Sequence, residues 1–182
     1  MAVQDGKLYV IGGIDDNGNY TATVQVFDSG TRKWSTRASM SGPRGYLGAA
    51  SDGQLIYALG GLNATGHLAT VEAYDSVKDQ WSMRAALPTV LYEMAVATVA
   101  GVIYAIGGVD SQGYVATVYA YNSQKDQWTM RAAMPTARAS LNGAAVTGGL
   151  IYVAGGRNGT SVLGNLEAYD EDPCLTGFRT VA

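Results

Sequence analysis

Few residues in this 182-residue chain have side chains suited to reaction chemistry, and their scarcity excludes whole classes of mechanism. There is one histidine, His67, and one cysteine, Cys174. A Ser–His–Asp triad needs its histidine beside a nucleophile, and a protein zinc site needs three or four nitrogen, sulfur or carboxylate ligands. His67 follows a glycine pair and reads as an exposed loop residue; Cys174, beside Pro173, reads as a free thiol that excludes an intrachain disulfide framework. No phosphate-binding loop, dinucleotide fingerprint or cysteine pair is present, so neither a metal nor a cofactor is expected. Two Asn-X-Thr triplets, Asn63-Ala64-Thr65 and Asn158-Gly159-Thr160, also follow glycine pairs and read as chance sequons in loops.

The totals narrow the partners. Hydrophobic residues make up 47% of the chain and charged residues 15%, which is too apolar for a disordered protein. The net charge is −3, so the basic excess of a nucleic-acid surface or a polybasic membrane patch is missing. MAVQDGK runs straight into an apolar strand, and no signal peptide is expected. The apolar run from Met94 to Val109 is shorter than the roughly 20 residues a spanning helix needs and is broken by glycines, so it reads as two buried strands and a turn. The compartment stays open.

The elements that position any site come from an internal repeat. Glycine pairs stand at 12–13, 60–61, 107–108 and 155–156, and Trp34, Trp81 and Trp128 recur every 47 residues. Between them lie Phe27-Asp28, Tyr74-Asp75, Tyr121-Asn122 and Tyr169-Asp170, the first three each six residues from Asp or Asn to Trp. Within each unit the signals are β: LYVIGG, LIYALGG, VIYAIGG and LIYVAGG are short apolar runs ended by glycine. Upstream, Asp5-Gly6, Asp52-Gly53, Ala100-Gly101 and Gly148-Gly149 supply hairpin turns. A third strand carries TVQVFD, TVEAYD, TVYAYN or NLEAYD, and a fourth carries the tryptophan. Four short strands per unit with no helical period describe a propeller blade.

A glycine pair after an apolar strand, then Tyr-Asp, then Trp six residues on, resembles the kelch repeat. The likeness covers essentially the whole chain. It implies an all-β fold: one β-propeller domain over 1–182, of four-stranded antiparallel blades, four per chain, at about 1–42, 43–89, 90–136 and 137–182. The glycines and aromatic rings are then scaffold, with the Tyr and Trp rings filling the space between blades. Two departures stand out. The fourth repeat has Thr176 where Trp is due, with Phe178 available as a substitute or the tail frayed, and the first repeat has a short lead-in. Kelch propellers usually have six or seven blades and overlap their termini in one of them, whereas here the repeats run in phase. A closed four-bladed ring, a piece of a longer protein and a homodimer closing an eight-bladed ring are all open; the homodimer is favoured because it buries both open faces.

Function must then lie in loops that differ between repeats. The resemblance implies ligand contacts just after the glycine pair, at Asp15, Asn63, Asp110, Arg157 and Asn158, and after the Pro-Arg segment, at Tyr46, Tyr92, Glu93 and Ser140. Leu91 replaces the Arg in the third repeat. Such a mixture of aromatics, carboxylates, amides and an Arg suits a protein, peptide or glycan ligand. The leading expectation is a non-catalytic binding module. The alternative is a carbohydrate-active enzyme, a glycoside hydrolase or sugar isomerase, with Glu93 and Asp15 or Asp110 as the carboxylate pair. Glu72 and Glu167 recur at one strand position and are expected to serve the sheet. A structural fragment with no ligand is the third possibility.

Overall fold

Short apolar runs ended by glycines and polar turns become strands in a computed structural model, which describes residues 1–141, 143–170 and 177–181. Those residues form four antiparallel four-stranded sheets and no helix. Sheet one is β1 (Ala2–Gln4), β2 (Lys7–Ile14), β3 (Tyr20–Asp28) and β4 (Lys33–Arg37), paired in that order. Sheet two is β5 (Gly48–Ser51), β6 (Ile56–Leu59), β9 (Val71–Asp75) and β10 (Gln80–Arg84); β7 (Leu62–Asn63) and β8 (Gly66–His67) form a small hairpin between β6 and β9. Sheet three repeats this with β11 (Ala95–Val99), β12 (Val102–Ile106), β15 (Val118–Asn122) and β16 (Gln127–Arg131), and hairpin β13 (Val109–Asp110) with β14 (Gly113–Tyr114). Sheet four is β17 (Ala145–Thr147), β18 (Leu150–Ala154), β19 (Leu166–Asp170) and β20 (Gly177–Val181). The run from Met94 to Val109 is thus mainly two strands and a turn. The segments after the second and third glycine pairs, expected as plain loops, are β-hairpins.

The chain divides into two units, Met1–Tyr92 and Glu93–Ala182. In the first, Ala2, Tyr9, Ile11, Val24 and Val26 of sheet one pack with Ile56, Ala58 and Tyr74 of sheet two. In the second, Ala95, Ala97, Tyr104, Ile106, Val118 and Ala120 of sheet three pack with Ile151, Val153 and Tyr169 of sheet four. Each buried aliphatic side chain contributes about 1.5–3 kcal/mol, and the alternation of faces along each strand gives every sheet two such surfaces.

The glycine pairs do more than end a strand. Gly13 and Gly108 donate their amides to the carbonyls of Arg44 and Arg138, at 2.9 and 2.8 Å, in the loop entering the next sheet. A Cβ on Gly12 would lie 2.5 Å from the Arg44 oxygen, and one on Gly107 2.6 Å from the Arg138 oxygen, closer than any side chain allows. The aromatic pairs are in register: Phe27 faces Trp34, Tyr74 faces Trp81, Tyr121 faces Trp128 and Tyr169 faces Phe178. Phe178 therefore takes the tryptophan position, its ring 5.0 Å from that of Tyr169. Thr176 and Cys174 lie outside the described residues. Most of these rings stack within one sheet, a refinement of the expected gap-filling between blades, but Trp81 also reaches back and donates its indole N–H to the Ala38 carbonyl at 2.8 Å.

Arg44 and Glu72 form a buried ion pair, with the guanidinium also donating to the carbonyls of Gly60 and Thr70. Arg138 and Glu167 repeat it. These carboxylates serve the sheet, as expected. Ser41 donates its amide to Glu72 Oε2 at 2.9 Å; the matching residue in the fourth repeat is Pro135, which has no N–H, and Glu167 Oε2 is buried without a partner. Asn165 compensates in part, donating to Glu167 Oε1 at 3.0 Å. In the third repeat both charges are gone: Leu91 and Tyr119 stand 28 residues apart, as Arg44 and Glu72 do, and both are buried. Burying two charges is repaid only when both are present. Glu72→Ala should lower unfolding stability by about 3–5 kcal/mol, and the double variant Arg44→Leu/Glu72→Tyr should recover most of it in denaturant titrations.

A second recurring device joins sheets one and two. Asp79 Oδ1 accepts the Tyr74 hydroxyl at 2.6 Å and the Ala38 amide at 2.9 Å. Those bonds, the Tyr74 hydroxyl first, hold the Asp79 carboxyl below its ordinary value. Because the folded value is the lower one, this contribution is complete above the unfolded carboxyl range of about pH 4 and fades as pH falls through the folded value. The difference in thermal midpoint between wild type and Asp79→Asn should therefore be largest near neutrality and shrink below about pH 4.

Candidate functional site

The loop that enters each sheet after the Pro-Arg segment carries one residue in the left-handed region. Tyr46 (φ 54°), Glu93 (φ 52°) and Ser140 (φ 54°) occupy the same repeat position, 47 residues apart. None is Gly, Asn or Asp, so each holds a backbone conformation that costs roughly 1–3 kcal/mol and persists only because its surroundings enforce it. The enforcing contacts are main-chain bridges: Gly45 pairs with Leu62 in the first unit and Ala139 with Arg157 in the second, each by two hydrogen bonds of 2.8–3.0 Å.

In the second unit these loops bring charged groups together. Ser140 donates its hydroxyl to Glu93 Oε2 at 2.5 Å, and Arg157 Nη2 lies 3.4 Å from the same oxygen. Glu93 is mostly covered, its side chain 16% exposed, whereas that of Arg157 is 54% exposed. One carboxylate oxygen thus holds a hydroxyl and one edge of a guanidinium on a half-exposed side chain. Two residues past Arg157, Gly159 meets the Tyr114 ring, where a Cβ would sit 3.1 Å from it.

In the first unit the loop groups are aromatic. Tyr46 is 49% exposed. His67 and Tyr92 stack with ring centroids 4.9 Å apart. Tyr20 packs over Gly45, where a Cβ would come within 3.0 Å of the ring. Tyr20, His67 and Tyr114 share one repeat position, again 47 residues apart. His67 is exposed, as expected, yet its ring stacks on Tyr92, a contact that its shared repeat position with Tyr20 and Tyr114 could have signalled.

The residues just after the glycine pairs are arranged differently. Asp15 Oδ1 accepts the amides of Asn17 and Asn19 at 2.9 and 2.8 Å, and these bonds, that from Asn19 first, hold its carboxyl below the usual range. Asn63 Oδ1 accepts the Thr65 amide and hydroxyl and the Gly66 amide. Asp110 Oδ1 accepts the amides of Gln112 and Gly113, and Asn158 Oδ1 that of Ser161. All four side chains cap their own turns. Of the residues carried over from the resemblance, Glu93, Ser140 and Arg157 converge, Tyr92 stacks on His67, and the Asp and Asn group shapes the hairpins.

The Kelch motif model matches residues 1–41, 43–88, 91–135 and 138–172, four successive copies of which the first three each span a whole sheet and the fourth spans β17 to β19. The chain belongs to the kelch-repeat family. Among known proteins it is similar to alpha-scruin of Limulus polyphemus, 36% identical over 64 residues, which is 35% of this chain and 7% of that one. Beta-scruin of the same animal is 32% identical over 62 residues, 34% of this chain and 7% of that one. This kelch chain therefore matches a small fraction of the length of either relative.

Tyr46 makes the left-handed strain of the entry loop separable from packing. Tyr46→Gly should leave the thermal midpoint unchanged or raise it by up to a few degrees, because glycine removes the φ penalty while the Gly45–Leu62 bridge remains. Differential scanning calorimetry checks this.

Proposed function

We propose that the four sheets are blades of a propeller and that the chain is a binding module that holds a protein or peptide on its entry loops. The observation that carries this reading is the convergence of Glu93, Ser140 and Arg157, three side chains from separate loops, the first two on backbone held in a strained conformation. Kelch repeats commonly serve protein binding, and strain retained at a ligand-facing loop is a device of recognition sites. Glu93 orients Arg157 and leaves its outward donors for a partner's carbonyl or carboxylate oxygens. In the first unit, the exposed ring of Tyr46 and the His67–Tyr92 stack offer apolar contact area of their own.

The glycan-ligand and carbohydrate-active readings receive less support from the geometry. Asp15 and Asp110 each commit an oxygen to their own turns, and Glu93 is engaged by a hydroxyl and a guanidinium rather than standing as a free acid or nucleophile. Within the binding reading, two copies of the chain complete the propeller.

Selection of random peptides displayed on phage against the immobilised chain tests this function directly. Enriched peptides should lose at least about tenfold in affinity for Arg157→Ala and for Glu93→Ala, the scale of a recognition anchor. Peptides that bind both variants as well as wild type would place the site elsewhere.

A further inference from the structure

Each sheet has two apolar faces, and the chain leaves one of each kind open. On the leading face, the aliphatic residue two places after the strand tyrosine is Ile11 in sheet one and Ile106 in sheet three, and its cross-strand partners are Val24 and Val118; all four are almost fully buried under the next sheet of their unit. In sheet four the same places are Ala154, exposed, and Leu166, half-buried, and an open groove runs over them with Ala145 and Tyr152. On the trailing face, Ile56, Ala58 and Tyr74 of sheet two and Ile151, Val153 and Tyr169 of sheet four are at most 2% exposed. Their counterparts in sheet one are Leu8, Val10 and Phe27, each partly exposed, with Trp34 56% exposed beside them.

The surface that covers a leading face is thus known from two examples in this chain. It is a trailing face with an aliphatic residue, a small or β-branched residue and an aromatic ring at fixed register, flanked by the aromatic of the outer strand. Leu8, Val10, Phe27 and Trp34 reproduce that set in type and position. We infer that the open leading face of sheet four receives the open trailing face of sheet one from a second copy of this chain. The inference rests on the blade reading above. Two reciprocal seams of this kind cover both open faces in each copy, and a head-to-tail contact that closes on two copies is a dimer rather than a filament. Sheet one also differs where the Tyr74–Asp79 device would reach back to a preceding blade: Phe27 and Arg32 replace that hydroxyl and carboxylate, so this seam between copies carries a guanidinium where the seam inside the chain carries an acceptor.

Light scattering on size-exclusion fractions of the full chain, at micromolar concentration, tests it. The expected mass is twice the 19.0 kDa of one chain. Ala154→Arg blocks the leading face and Val10→Arg the trailing face; each variant should run at a single chain's mass with an unchanged far-ultraviolet circular dichroism spectrum. Mixing the two variants should restore a twofold mass, because one unblocked seam remains between them. A wild-type mass of one chain, variants that stay dimeric, or a mass that climbs beyond two chains with concentration would each overturn the inference. Peptide binding through Arg157 reports separately: its presence in a monomeric wild type would leave the binding reading standing, and its absence in a dimer would remove that reading alone.

Discussion

A four-stranded sheet with apolar residues on both faces needs a neighbour on each side, and much else in this chain depends on that requirement. A strand alternates its side chains, so Tyr9 and Ile11 point one way while Leu8 and Val10 point the other. Sheet stacking answers one face at a time. The two seams shown, sheet one with two and sheet three with four, bury nearly every aliphatic and tyrosine side chain they contain.

Close stacking explains the invariant parts of the repeat. The amide of a glycine pair reaches the carbonyl of the next entry loop, and only glycine permits the approach. At sheets two and four that loop is also fastened by a buried Arg–Glu pair and by its own short bridge. Anchored at so many points, it can carry a side chain in the left-handed region, and the three residues found there differ in chemistry: a ring, a carboxylate and a hydroxyl. Scaffold and recognition are therefore adjacent in sequence, with Arg138 buried and Ser140, two residues on, turned toward Glu93.

Much of the fold was legible because its causes are local and repeated. Glycine pairs, aromatic-Asp steps and tryptophans mark the strands, and Glu72 and Glu167 could be assigned to the sheet from their recurrence alone. The substitution of Phe178 for tryptophan was harder to place, since Phe178 follows Asp170 by eight residues rather than six, so register rather than spacing identifies it. The site was less legible. That Asp15, Asn63, Asp110 and Asn158 cap their own turns depends on which amides fold back toward them, and the engagement of Glu93 by Ser140 and Arg157 depends on contacts across 47 and 64 residues. The equivalence of Tyr20, His67 and Tyr114 was present in the spacing, but the three differ in type, which hides the repeat.

The proposal that a second copy covers the open faces of sheets one and four makes that partner part of the fold. A protein whose fold includes its partner unfolds at a temperature that depends on concentration. Scanning calorimetry over a wide dilution series measures this directly. The account predicts a midpoint that falls steadily as the chain is diluted; a midpoint independent of concentration would contradict it.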